Sequence, residues 1–337
     1  KALLNRSSDI HFEPLRENVR VRHRIDGVLH EAQQLPLDIY PSLISRIKIL
    51  ARMDIAERRQ PQDGHFHMHI GGRDVDFRAS TLPTVHGEKT VLRILDKSSQ
   101  RATLAETGMN PEMQEAVRRL AHLPFGIVLV TGPTGSGKTS TIYSMIKEID
   151  RHSHNVVTIE DPIEFEIDGA NQVQVNPKAN VHFANTLRSV LRQDPDVIVV
   201  GEIRDRDTAD IAIRSALTGH LVISTIHTNN SMGTIGRLVE MGVEPYLLSS
   251  SISAILSQRL VRKLCPDCKF PRRINESERA LLGPELVAPD AVIYARKGCE
   301  KCNNIGFRGR TGIYELLIPD TELRKFISQG KLDEASL

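Results

Sequence analysis

The chain has 337 residues, of which 40% are hydrophobic and 26% charged, with a formal net charge of +2. That length is enough for two domains, and the composition is that of an ordinary globular protein. The near-neutral balance, the absence of Trp and the 4% aromatic content argue against an obligatory nucleic-acid partner, which would call for a basic face and stacking platforms. No apolar run reaches the roughly 18 residues that a membrane span needs. The opening segment, Lys1 to Phe12, lacks the basic-then-apolar pattern of a signal peptide. A cytoplasmic location is expected, with any membrane contact made through partners.

The first hundred residues predict a small α+β domain. Val19 to Ile25 alternates apolar and basic residues, the period of a half-buried strand, and Asp26-Gly27 marks a turn after it. Leu43, Ile44, Ile47 and Leu50 form an apolar stripe at helical spacing within Ser42 to Ala56. His65 to Ile70, Gly71-Gly72 and Arg73 to Ala79 read as a hairpin with a two-residue turn, and Val91 to Leu95 as a further strand. His65, His67 and His69 share one face of their strand at spacings of about 7 Å. That is a row along a solvent or interface face, not a convergent metal site.

Lys97 to Thr103 is polar and aperiodic. Beyond it the pattern changes. Ile127 to Val130, Val156 to Ile159, Val197 to Val200 and Leu221 to Ser224 are continuous apolar strands with helical stretches between them. Such strands predict a parallel sheet covered on both faces. After Arg259 the chain enters a cysteine-bearing region and is expected to end in short helical pieces.

Gly132-Pro133-Thr134-Gly135-Ser136-Gly137-Lys138-Thr139 follows the first of these strands and opens a helix through Ser140. It matches G-x-x-x-x-G-K-[ST], in which glycines let main-chain N–H groups turn inward around phosphates. Lys138 would supply charge to the β and γ phosphates, the Thr139 hydroxyl would ligate Mg²⁺, and the helix would present its positive end to the nucleotide.

Two further strands end in acids: Glu160, Asp161 and Glu164 after one, Glu202 after the other. The carboxyl ends of parallel strands form the ligand crevice. Phosphoryl transfer to water needs one group to hold the metal and one to orient the water. Glu202 and one of Glu160, Asp161 or Glu164 can fill those roles, though polar loops carry such acids without any task. His220 and His227 flank the fourth strand, where a histidine can hydrogen-bond a γ-phosphate or simply pack.

All four cysteines fall in two C-x₂-C units, Cys265 with Cys268 and Cys299 with Cys302. Paired units of this kind suit a tetrahedral four-thiolate Zn²⁺ site that leaves no open position, hence a structural one.

Taken together, the loop of 132–139, Glu160-Asp161-Pro162-Ile163-Glu164, the stretch from Asp194-Pro195-Asp196 to Arg204-Asp205, and that from Thr218-Gly219-His220 to His227-Thr228-Asn229 resemble the secretion ATPase superfamily. They match its Walker A, Asp box, Walker B and His box in order. Asp9-Ile10-His11-Phe12-Glu13-Pro14, Arg24-Ile25-Asp26-Gly27 and Gln60-Pro61-Gln62-Asp63-Gly64 are similar to the family's preceding domain. The resemblance implies an α/β protein with a RecA-like P-loop NTPase core, a smaller N-terminal α+β (PAS-like) domain and a C-terminal zinc-binding subdomain. The expected divisions are 1–97, a linker at 98–104, the ATPase domain at 105–264, the tetracysteine subdomain at 265–302 and a helical segment at 303–337.

The same resemblance implies ATP and Mg²⁺ as ligands and a homo-hexamer at the cytoplasmic face of the bacterial inner membrane, working on secretion or pilus platform proteins. It makes Glu164 the catalytic base, Glu202 the Walker B glutamate near Mg²⁺ and His227 the γ-phosphate sensor. Arg78 and Arg93 match arginines of the N-terminal domain that reach the phosphates, and Arg188 and Arg192 resemble further arginines near the site. The family's additional N-terminal domain and its last C-terminal helices are expected to lie outside these residues. Gln258-Arg259-Leu260-Val261-Arg262 and Cys265-Pro266-Asp267-Cys268 lean toward type II secretion. Phe77 to Thr84 and Asn171 to Pro177 lean toward type IV pilus assembly, leaving secretion narrowly ahead.

Overall fold

The structure, a computed structural model, describes residues 1–96 and 103–330. The expected linker at 98–104 lies outside them except for Thr103 and Leu104. The chain divides into two compact units. The first is Lys1–Asp96 with Val261–Thr311; the second comprises the described residues of Lys97–Leu260 and Gly312–Leu337.

In the first unit, β1 (Ser7–Pro14), β2 (Val19–Ile25), β3 (Val28–Leu35), α1 (Tyr40–Leu50), β4 (Gln62–Ile70), β5 (Arg73–Thr84) and β6 (Gly87–Asp96) follow in order. The strands make one antiparallel sheet in the order β3-β2-β1-β6-β5-β4. Gly71 and Gly72 both have positive φ, 58° and 77°, as a two-residue turn matched to strand twist requires. Tyr40, Ile44 and Ile47 of α1 pack with Val19, Val75, Phe77, Ala79, Leu92 and Ile94 on one face of the sheet. The helix is shorter than the stripe suggested, because Arg52 turns to φ 56° just beyond it. Strand β1 has a weak apolar signature. Asp9, His11 and Glu13 occupy its other face, buried under basic side chains: Arg93 and Arg24 pair with Asp9, and Arg20, Arg22 and Lys89 with Glu13.

In the second unit come α2 (Pro111–Ala121), β7 (Gly126–Thr131), α3 (Lys138–Glu148), β8 (Val156–Glu160), β9 (Ala170–Gln174) and α4 (Phe183–Val190). Then follow β10 (Val197–Val200), α5 (Arg206–Leu217), β11 (Leu221–Ile226), α6 (Ser231–Glu240), α7 (Pro245–Ser251) and β12 (Ile252–Leu264). With β15 (Phe307–Leu317) at one edge, the sheet order is β15-β12-β7-β11-β10-β8-β9, and the strands from β12 to β9 run parallel. Alternate residues of each strand enter different cores. Ile127, Leu129, Ile198 and Val222 join the residues of α4, α5 and α6. Val128, Val130, Val199 and Ile223 join those of α2 and α3. Burial on both faces is why these strands read as unbroken apolar runs.

The C-terminal third departs from expectation. It holds β13 (Phe270–Arg273), α8 (Glu276–Leu282), β14 (Val292–Ala295), β15 (Phe307–Leu317) and α9 (Thr321–Ser328). Thus the segment expected to be helical from 303 instead holds, after a turn at 303–306, an eleven-residue strand that adds to the edge of β12. That pairing partner is remote in sequence, so no local period announces it.

Candidate functional site

The loop of 132–139 joins β7 to α3 at the carboxyl edge of the parallel sheet. Gly132, Gly135 and Gly137 have φ of 143°, 78° and 91°, values that side-chain-bearing residues rarely adopt. A Cβ on Gly132 would stand 2.3 Å from the Gln258 main-chain oxygen. The loop is therefore a cradle of bare main chain, which fits a polyphosphate. Lys138 is buried, and its Nζ donates to the Gly132 and Pro133 carbonyls at 2.8 and 3.2 Å. Burial lowers its pKa, opposed by Glu202.

Three strand ends converge here. His227 follows β11 and places Nδ1 3.4 Å from Lys138 Nζ and Nε2 3.5 Å from Glu202 Oε2. Glu202 follows β10; its other oxygen pairs with Arg204, whose guanidinium also lies 3.8 Å from Asp161 Oδ2 after β8. Burial, with Lys138 next, holds the His227 pKa below the ordinary histidine value despite Glu202. The His227 loop is pinned to the base of the phosphate loop by threonines. Thr131 Oγ1 donates to the Thr228 carbonyl at 3.0 Å, the Thr228 N–H donates back to Thr131 Oγ1 at 3.2 Å, and the Thr228 and Thr234 hydroxyls are 2.6 Å apart. Ser224 and Thr225 hydroxyls brace the turn that carries Glu202 through the Val200 and Gly201 carbonyls, at 2.7 and 2.8 Å.

The acids after β8 have different surroundings. Glu160 is buried in a closed network, accepting from the Tyr143 hydroxyl, from Thr158 Oγ1 at 2.6 Å and from Gln172 Nε2 at 3.0 Å. Its carboxylate ties α3, β8 and β9 together. Burial and Glu160 push the Tyr143 phenol well above its usual range. Glu164 is half-buried further along the loop, and its main chain hydrogen-bonds the same Tyr143 hydroxyl.

Within the second unit, the expected site residues His220, Arg188 and Arg192 are not gathered at this edge. His220 precedes β11, so it sits at the sheet's amino edge, with Nδ1 3.0 Å from the Ser215 carbonyl. Arg188 lies in the last turn of α4 and is exposed; Arg192 folds back on it, donating to the Arg188 carbonyl at 2.9 Å. The segment just after Arg192 is held by Asn155 at the amino end of β8, again the edge opposite the phosphate loop. Arg78 and Arg93 are cross-strand partners on β5 and β6 in the first unit, so they share a face of that sheet. Arg204, Thr131, Thr228, Tyr143, Gln172 and Gln258 were not singled out from sequence. Arg204 and Thr228 lie within quoted stretches of the resemblance, and Gln172 and Gln258 within the segments that lean toward one branch or the other; Thr131 and Tyr143 carried no signal.

In the first unit, Cys265, Cys268, Cys299 and Cys302 place their sulfurs within 4.8 Å of one another. The 265–299, 268–302 and 299–302 pairs are 4.0, 3.8 and 3.7 Å apart. A tetrahedron with metal–sulfur bonds of about 2.3 Å has edges of about 3.8 Å, so the four thiols fit Zn²⁺. N–H groups of Cys299 and Gly306 donate to Cys302 Sγ, both at 3.2 Å, orienting that ligand. Lys301 clasps the two knuckles through Asp267 at 2.6 Å.

A protein-family model described as type II/IV secretion system protein matches residues 1–336. Type II secretion system protein E of Aeromonas hydrophila is 51% identical over 327 residues, covering 97% of this chain and 65% of that protein. Type II secretion system ATPase E of Vibrio cholerae is 50% identical over 335 residues, covering 99% and 66%. Type IV pilus assembly ATPase PilB of Myxococcus xanthus is 47% identical over 334 residues, covering 98% and 59%. The chain thus spans just under two thirds of the length of these type II relatives. Among solved structures, the pilus retraction motor PilT with bound ADP matches with a TM-score of 0.66 at 31% identity, covering 99% of this chain and 86% of that one. The Legionella pneumophila ATPase DotB shares the fold, with a TM-score of 0.68 at 22% identity over 98% of this chain and 84% of its own.

Proposed function

Since the chain belongs to the type II/IV secretion system protein family, alongside the type II secretion system E proteins, we propose that it hydrolyses ATP to power protein secretion through a type II system. The observation that carries this reading is the meeting of Lys138, His227 and Glu202 beside the phosphate loop. In this assignment the loop and Lys138 hold the phosphates, and Thr139 and Glu202 would hold Mg²⁺, which neutralises charge on the transferring group when bound. Glu164 activates the attacking water, and His227 senses the γ-phosphate. Arg78 and Arg93 would bring positive charge to the phosphates, where its arrival gates chemistry.

We further assign the chain to a homo-hexamer acting at the inner membrane through platform proteins. Among the described residues no helix is long and apolar enough to cross a membrane. His220, Arg188 and Arg192 lie at the amino edge of their own sheet, so any phosphate contact they make would serve a neighbouring copy. Zinc in the four-cysteine site would be structural. Pilus extension is the second reading, favoured by the 47% identity to a pilus assembly ATPase.

The test is the ATPase rate per subunit against protein concentration, with an enforced hexamer for comparison. A rate that climbs with assembly is expected. A flat, appreciable rate would mean that each chain carries a complete site, and no hydrolysis at any concentration would remove the enzymatic reading.

A further inference from the structure

Resting on the reading of 132–139 as a polyphosphate cradle, we propose that Gln258 is a positioning residue that sets the direction of the cradle's amides. Gln258 lies on β12 beside β7 and is 2% exposed. Its Nε2 donates to the Ser136 main-chain oxygen at 2.7 Å. A Cβ on Gly132 would stand 2.3 Å from its main-chain oxygen, and one on Gly137 3.2 Å from its Nε2. One residue of a neighbouring strand therefore meets the loop at three points.

The geometry has a direct consequence. In a planar trans peptide the C=O and the following N–H point in opposite directions. Holding the Ser136 carbonyl toward β12 turns the Gly137 N–H away from β12, the direction needed to meet an anion resting in the loop. Without the donor, the Ser136–Gly137 peptide is free to rotate and Gly137, at φ 91°, carries no side chain to stop it. Packing alone is a poor reason for this contact. Ser136 Oγ and Gln258 Oε1 are both buried without a hydrogen-bond partner. Unmet buried polar atoms are rare in native interiors and are retained where function holds them.

Gln258→Met keeps side-chain length and removes the donor; Gln258→Asn keeps the amide but draws it back by one methylene. Each is measured in the 337-residue chain by ADP titration with Mg²⁺, by AMP competition and by melting without nucleotide. Both variants should bind ADP about tenfold more weakly, the loss of one aligned donor to a charged group. AMP, which has no β-phosphate to meet the loop, should change less than about twofold, and the melting temperature should move less than about 3 °C. Unchanged ADP affinity in either folded variant overturns the proposal. So does an equal loss for ADP and AMP, or a loss that follows the melting temperature, because Gln258 would then only support the fold. Failure of the unsubstituted chain to bind ADP is a separate result: it overturns the cradle reading and this inference with it.

Discussion

His227 and Glu202 face each other across the carboxyl ends of adjacent strands β11 and β10, Nε2 to Oε2 at 3.5 Å. With Lys138 Nζ 3.4 Å from the other ring nitrogen, the imidazole stands between the loop lysine and the Glu202 carboxylate. Burial, with Lys138 next, lowers the ring's pKa and so favours its neutral form, in which only one ring nitrogen can donate.

Glu202→Ala should leave ADP affinity within about threefold while lowering turnover by about 100-fold or more, since under the proposed assignment the carboxylate would act on the metal and the transition state. Steady-state kinetics beside calorimetric binding reads both. Near-normal turnover in this variant would remove Glu202 from the machinery.

Tyr143→Phe leaves one oxygen of the buried Glu160 carboxylate without its donor. An unmet buried acceptor costs about 1–3 kcal/mol, so the unfolding free energy read from urea denaturation should fall by that amount, with a lower midpoint. Because the same hydroxyl meets the Glu164 main chain, hydrogen exchange should also rise in the 161–165 loop. Stability without any such change would mean the network is redundant.

Chelation should loosen 265–302 and leave nucleotide binding intact, because the four cysteines lie in the first unit and the phosphate loop in the second. Hydrogen exchange with and without a chelator gives the comparison. Protection that persists across the cysteine knuckles after metal removal would show that Zn²⁺ does not hold them.

His11 supplies a pH dependence. It is buried with both ring nitrogens unpartnered, and burial first, then Arg24, lowers its pKa. The folded state thus keeps the ring neutral where the unfolded chain takes up a proton. The associated stability is present above about pH 6.5 and lost as pH falls through the lowered folded value. Melting temperature should drop on acidification below about 6.5, and His11→Phe should flatten that slope. Some slope should persist, because the His23 pKa is lowered by burial too. An identical slope in the variant would assign the effect elsewhere.

Much of the site was legible from sequence because its chemistry is local. Gly132 to Thr139 carries its own backbone requirement, three glycines at positive φ and a lysine opening a helix. The two C-x₂-C units likewise each fold their ligands within four residues, and strands β2 and β10 match the expected bounds because their patterns are bounded by turns. Strand β1 was missed because charge pairs, not apolar residues, cover one of its faces.

What the sequence could not decide is which remote segments meet. His220 and His227 flank one strand and read as a pair, yet a strand of six residues sends them to opposite edges of the sheet. Gln258 reaches Ser136 across 122 positions and Thr131 reaches Thr228 across 97, contacts that exist only because β12 and β11 flank β7. A continuous apolar strand can be buried next to any other such strand, so its sequence identifies it as central but leaves its neighbours open. The order of strands in the folded sheet chose those neighbours, and with them the side chains that hold the phosphate loop in place.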